Sequence, residues 1–167
     1  GHGKVRACSI DDAPRFPYRG IMLDVSRHFR SLDFVKKQID LLSSLKINRL
    51  HLHLTDEAGW RLEIKKYPRL IGFAAWRPYA NWRDWSDNGS QYCEQFDSRA
   101  QGGFYTQDEM RDLIDYARKR SVIIVPEIEM PSHSGEVLTA YPELSCTHEL
   151  YKQRDFCVGN EKTFEFI

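Results

Sequence analysis

Gly20-Ile21-Met22-Leu23-Asp24-Val25-Ser26-Arg27-His28-Phe29 is the stretch on which the fold turns. Its first half is an apolar run interrupted by Asp24, the pattern of a strand buried on both faces, as in a parallel sheet. Its second half is polar and carries no glycine, so the phosphate-binding turn expected after the first strand of an open doubly wound sheet is absent. A closed eight-fold barrel is therefore favoured over the open sheet, provided that helices and further strands follow in alternation.

They do. Leu32, Val35, Ile39, Leu42 and Leu45 recur at steps of three and four, which predicts an amphipathic helix with Ser31 as N-cap, fading near Lys46. Ile47 to Thr55 then alternates, with Leu50, Leu52 and Leu54 on one face and His51 and His53 on the other. Thr106-Gln107-Asp108-Glu109 is a capping box ahead of Met110, Leu113, Ile114 and Ala117, a helix ending near Arg120. Val122 to Met130 is the third buried strand, and Asn160 to Ile167 begins another helix. The order β-α-β-α-β predicts an α/β fold of (β/α)8 TIM-barrel type. A barrel takes about 250 residues, so only about the first three βα units are expected here. Residues 1–17, with Pro14 and Pro17, form a lead-in segment or the remnant of a preceding domain, and residues 18–167 form the barrel portion.

Between Thr55 and Thr106 lie about 50 residues without sustained periodicity, far more than an ordinary βα connection. They are crowded with rings, including Trp60, Trp76, Trp82, Trp85, Tyr92 and Phe104. Such rings either line a sugar site or pin a long loop to its scaffold, and the sequence leaves that choice open.

Composition narrows the function classes. Lys plus Arg and Asp plus Glu both total 24, leaving no net charge to hold nucleic acid or an anionic membrane. No apolar run approaches the roughly 20 residues of a bilayer span, and Gly1-His2-Gly3-Lys4 lacks the layout of a signal peptide. The four cysteines form no Cys-x-x-Cys pair; Cys146 and Cys157 flank a polar loop and are either a disulfide or two free thiols.

In a barrel the chemistry sits at the C-terminal ends of the strands, and each of the three ends in carboxylates: Asp24, then Asp56 with Glu57, then Glu127 and Glu129. His133 is expected at the same rim. Convergent carboxylates suit general acid and base work or recognition of sugar hydroxyls. His51-x-His53 admits a rival reading as two zinc ligands, with the third from Asp24, Asp56 or His133, against a plain reading as hydrogen-bonded interior histidines.

Three motifs carry a resemblance: Tyr18 to Phe29; His51-Leu52-His53-Leu54-Thr55-Asp56-Glu57-Ala58-Gly59-Trp60-Arg61; and Pro126-Glu127-Ile128-Glu129-Met130-Pro131-Ser132-His133. In this order, with Gly102 to Thr106 also fitting, they resemble glycoside hydrolase family 20, the β-N-acetylhexosaminidases. The resemblance covers the chain from about Pro17 onward. It implies a barrel that removes terminal non-reducing β-linked N-acetylglucosamine or N-acetylgalactosamine from glycans, with no metal or other cofactor. The implied mechanism is substrate-assisted and retaining: the acetamido oxygen attacks the anomeric carbon while a Glu protonates the leaving oxygen and an Asp orients the acetamido group.

Carried over residue by residue, the resemblance assigns Asp56 and His133 to a relay supporting the acid, and Arg19 and Glu129 to substrate binding. Arg19 rests on the resemblance alone, since a residue before the first strand should lie low in a barrel. Glu129 stands where relatives usually have Asp, and Ser132 where they have Gly. The family's catalytic Asp-Glu pair follows the fourth strand and is not expected within these residues, so the chain alone is expected to be inactive and to self-associate through its open barrel edge. A secreted, periplasmic or lysosomal setting follows from the family's usual substrates. Beside this stand two alternatives, a non-catalytic glycan-binding fragment and the His-x-His metal hydrolase.

Overall fold

The computed structural model describes residues 7–167; Gly1-His2-Gly3-Lys4 lies outside the described residues. In chain order the elements are β1 (Gly20–Asp24), α1 (Leu32–Ser44), β2 (Arg49–His53), β3 (Thr55–Asp56), β4 (Gly59–Trp60), α2 (Arg69–Gly72) and β5 (Trp76–Arg77). They continue with α3 (Trp82–Asp87), β6 (Gln101–Gly102), α4 (Gln107–Arg118), β7 (Ile123–Glu127), α5 (Gly135–Ala140), a 3-10 turn (Pro142–Leu144) and α6 (Glu161–Phe166).

The strands read from the sequence assemble into a parallel sheet in the order β1-β2-β7, connected through α1 and α4. Both long helices begin as their sequences dictate. Ser31 Oγ accepts the Phe34 N–H, and Thr106 with Glu109 forms the reciprocal capping box. Their apolar stripes pack under the sheet, joining Val35, Ile39 and Leu42 of α1 and Met110, Leu113 and Ala117 of α4 to Leu50 and Leu52 of β2. Only β2 has the burial expected of an interior parallel strand. Gly20, Ile21 and Met22 of β1 and Ile123 and Pro126 of β7 are exposed, because each of these strands has a neighbour on one side alone.

The long aromatic segment holds small elements of its own, the antiparallel hairpins β3–β4 and β5–β6 and the helices α2 and α3. Four of its rings pin it down. Trp60, Trp76 and Trp85 donate through Nε1 to the carbonyls of Leu62 (2.5 Å), Ile71 (2.7 Å) and Gln91 (2.9 Å), and Tyr92 Oη donates to Glu57 O (2.7 Å). Trp82 is the tryptophan left substantially exposed.

A buried guanidinium closes this segment onto the strand ends. Arg61 donates through Nε to Val25 O (3.1 Å), through Nη1 to Ala75 O (2.5 Å) and Gly103 O (3.1 Å), and through Nη2 to Ser26 O (2.6 Å) and Ala58 O (3.2 Å). All five of its donors are thereby used. A Cβ at Gly59 would overlap this guanidinium, which explains glycine two residues before it. Cys146 and Cys157 are joined in a disulfide, resolving the alternative left open by the sequence.

Candidate functional site

Strand register builds the site. The pairing aligns Asp24 with His53 and His53 with Glu127, so these three side chains form one row across the C-terminal ends of β1, β2 and β7. Because strand side chains alternate, this row shares a face with Met22, His51 and Val125, opposite the face covered by the helices. Asp56, in the hairpin directly after β2, folds back beside it.

Asp56 is buried and is the hub. Its Oδ2 accepts from Arg27 Nη2 at 2.7 Å, lies 3.1 Å from His53 Nε2 and 3.7 Å from His133 Nδ1. Arg27 is itself oriented by Asp24, whose Oδ2 accepts from Nη1 at 2.7 Å while Oδ1 accepts the Arg27 backbone N–H at 2.9 Å. His53 Nδ1 lies 2.8 Å from Glu127 Oε2, an ion-pair contact off the line of a hydrogen bond, and His51 Nε2 reaches the same oxygen at 2.5 Å. Glu129 is positioned by its backbone N–H, which donates to Thr55 Oγ1 at 2.7 Å, and its Oε1 lies 3.8 Å from His133 Nδ1.

The electrostatics follow from this packing. The hydrogen bond to Asp56 outweighs burial and, with Glu127 and Asp24, raises His53 to about 9. Burial pushes Asp56 up, but the His53 hydrogen bond and the charges of Arg27 and His133 prevail and hold it below the usual carboxylate range. Burial first, then the negative charges of Asp56 and Glu57, drive Glu136, in the first turn of α5, up to about 8 against the pull of backbone N–H groups; one of its oxygens has no partner. Glu57 also moves upward by burial, although Arg154 lies 3.1 Å away.

His53 gives a pH signature of stability. Its folded pKa lies above the unfolded value of 6.5, so its contribution is fully present below about pH 6.5 and lost as pH rises through 9. At 1.36 kcal/mol per unit this is worth up to about 3 kcal/mol. Urea unfolding of the chain between pH 6 and 9.5 should show that decline, and His53→Gln should flatten it; an unchanged slope in the variant would rule His53 out as its source.

Several sequence expectations meet this geometry. Asp56, His133 and Glu129 come together at the C-terminal rim, with His133 half-exposed and beyond hydrogen-bond distance of both carboxylates. Arg19 does not join them. It precedes β1, and its Nε and Nη1 donate to Lys46 O (2.7 Å) and Phe16 O (2.5 Å) at the opposite ends of the strands. Five residues of strand separate it from Asp24, about 16 Å at the usual rise. The arginine of the same motif that lies at the rim is Arg27, just past the end of β1 and paired with Asp24 and Asp56. His53 was legible only as one of a pair, and nothing local marked Glu136, whose burial is entirely tertiary. The zinc reading finds His51 and His53 both turned to Glu127, with Asp24 and Asp56 occupied by Arg27; among the described residues the ligand-type atoms that cluster, within 4.8 Å, belong to His53, Glu127 and Glu129.

Residues 16–167 match the catalytic domain of glycosyl hydrolase family 20. The chain belongs to this family. It is 42% identical over 171 residues to a beta-hexosaminidase of Porphyromonas gingivalis, a match covering 98% of this chain and 20% of that protein. A beta-hexosaminidase of Vibrio furnissii is 46% identical over 134 residues, covering 80% and 21%. Among solved structures, the family 20 exo beta-N-acetylglucosaminidase of Vibrio harveyi, determined in complex with N-acetylglucosamine, superposes with a TM-score of 0.76 at 37% identity, over 93% of this chain and 25% of that one. This family 20 chain thus spans about a fifth of the length of the curated relatives it matches.

Proposed function

We propose that residues 18–167 are the first portion of a (β/α)8 catalytic domain, comprising about three βα units preceded by a lead-in of residues 1–17, in a β-N-acetylhexosaminidase. The substrate class is glycans ending in β-linked N-acetylglucosamine or N-acetylgalactosamine, cleaved with retention by participation of the substrate's acetamido group. What carries the reading is the Asp24–His53–Glu127 row with Asp56, Arg27 and His133 above it, all at the strand ends where barrel enzymes do their chemistry.

The residues divide the work by position. Arg27, partly exposed and braced by two carboxylates, presents its remaining N–H groups to sugar hydroxyls, where a planar fork bonds two oxygens at once. Asp56, held anionic, orients His133 once that ring closes the remaining gap, and His133 in turn supports and tunes the general acid. Glu129 lies within reach of the same imidazole and is available to substrate. On this reading the acid and its acetamido-orienting partner are not among these 167 residues.

The decisive experiment is a chimera in which residues 16–167 replace the homologous segment of the Vibrio furnissii relative, assayed on a chromogenic β-N-acetylglucosaminide with and without chelator. Chelator-resistant turnover is expected, falling about 100-fold or more with His133→Ala. A folded but silent chimera would sink the proposal. The chain alone should show no turnover; N-acetylglucosamine affinity together with a silent chimera would favour the binding-fragment reading, and stoichiometric zinc by elemental analysis the metal one.

The exposed edges of β1 and β7, with Ile21, Met22 and Ile123 uncovered, also predict that the isolated chain associates with itself. Size-exclusion chromatography with light scattering should find species larger than a monomer across micromolar concentrations; a sharp monomer peak contradicts this.

A further inference from the structure

Outside the rim, a cavity of about 270 Å³ opens between the β1–α1 loop and the β5–β6 hairpin. His28, Phe29, Arg30, Arg61, Arg77 and Gln101 line it, and no carboxylate does. Its positive charges are not neutralised locally. Arg61 is wholly buried and Arg77 nearly so, and both are held by backbone carbonyls rather than by acids: Arg77 donates to Tyr79 O (3.1 Å) and Arg27 O (2.7 Å), with longer contacts to Ala58 O and Ala80 O. The nearby Asp24 is already occupied by Arg27.

In front of these buried charges stand two groups with donors to spare. The Arg30 guanidinium makes no hydrogen bond or ion pair among the described residues and lies over the Phe34 ring, 5.2 Å from its centroid. Its backbone is nevertheless fixed, because Arg30 O accepts from Tyr105 Oη at 2.6 Å. His28 is bound through Nδ1 to Arg27 O at 3.0 Å, which leaves Nε2 uncommitted.

We propose that this cavity is an oxyanion-binding site, taking a sulfate, phosphate or carboxylate group with Arg30 and His28 as its direct ligands and Arg77 and Arg61 as the charges behind it. A concave polar surface with buried, uncompensated cations attracts an anion strongly, and guanidinium and imidazolium donors bind oxyanions through charge-assisted hydrogen bonds. The titration of His28 agrees with such a field. Burial, Arg30, Arg77 and Arg61 hold it below its usual value, and Asp24 opposes them only in part. An arriving anion would reverse that shift. The cavity is also larger than a tetrahedral oxyanion, so the group is either free or carried on a small molecule such as a sugar.

The test uses the chain as it stands, with inorganic sulfate as probe and chloride at equal ionic strength as control. NMR titration of the His28 ring should show its pKa rising by about half a unit or more with sulfate and not with chloride. The combined Arg30→Gln and His28→Gln variant should weaken sulfate binding, read by calorimetry, by about tenfold or more. Both positions are exposed, so these changes leave the core intact. Glucose 6-sulfate binding more tightly than sulfate would identify a sugar substituent as the natural ligand, and equal binding a free anion. An identical response to sulfate and chloride, sulfate binding that survives the double variant, or glucose binding as well as its sulfate would each overturn the site.

Discussion

Asp56→Asn should destabilise this family 20 chain by about 3 to 5 kcal/mol at pH 6, the cost of removing one partner from a buried ion pair. The side chain is almost completely enclosed, and its charge is shared by Arg27 at 2.7 Å and His53 at 3.1 Å. The amide keeps the shape but not the charge, so the enclosed His53 imidazolium loses the carboxylate bonded to its Nε2, while Arg27, partly exposed, keeps Asp24 and contributes less to the loss. Glu127 remains as the one close carboxylate of His53, and the ring should titrate well below its present value of about 9. The effect therefore depends on pH. At pH 9.5 His53 is largely neutral in both proteins, and the difference between them should shrink to what Arg27 contributes. Urea unfolding of the two proteins at both pH values checks this, and an equal loss at pH 6 and 9.5 would show that Asp56 does not act through His53. In the chimera the same substitution should lower turnover as well, since it releases both Arg27 and His133 from their positions.

Arg61→Met should cost about 3 kcal/mol or more. Five carbonyls, those of Val25, Ser26, Ala58, Ala75 and Gly103, point at this one side chain. Removing it leaves buried acceptors unsatisfied at about 1 kcal/mol or more each, although Ala58 O keeps Arg77 and Ala75 O the Gly103 N–H, and the loss is offset in part because a buried cation no longer has to be desolvated. That desolvation is visible in the guanidinium itself, which burial pushes down to about 9. Lysine should restore only part of the loss, because an ammonium carries three donors and cannot span the fork. The carbonyls belong to the first strand's end and to both hairpins, so loss of Arg61 should loosen the whole segment from Thr55 to Gly103. Denaturant unfolding together with limited proteolysis measures both effects; a change under about 1 kcal/mol with no new cleavage in that segment would show that water replaces the guanidinium without cost.

Arg61 also shows where sequence reading stops. Its place in the second motif was plain, but no periodicity or spacing announces that a charged side chain will be completely buried among carbonyls of distant residues. The aromatic segment is similar: its rings were compatible with a sugar platform or with pegs, and only the partners of Trp60, Trp76 and Trp85 favour pegs for these three.

What the sequence determined by itself was the local order. Period, caps and strand alternation depend on neighbouring residues, so α1, α4 and the three parallel strands were legible to within a few positions, as were the rim carboxylates Asp24, Asp56, Glu127 and Glu129, because position at a strand end is a property of the chain. Tertiary structure decided everything that depends on which strand lies beside which. Register placed Asp24, His53 and Glu127 in one row, set Arg27 beside that row and Arg19 at the far end of β1, and made Asp56 the common neighbour of Arg27, His53 and His133. The physical reason is the range of the forces involved. Helix propensity and capping act over a few residues of sequence, whereas burial and charge pairing act over a few ångströms of space, and residues as far apart as Arg27, Asp56 and His133 become neighbours only when the sheet has formed.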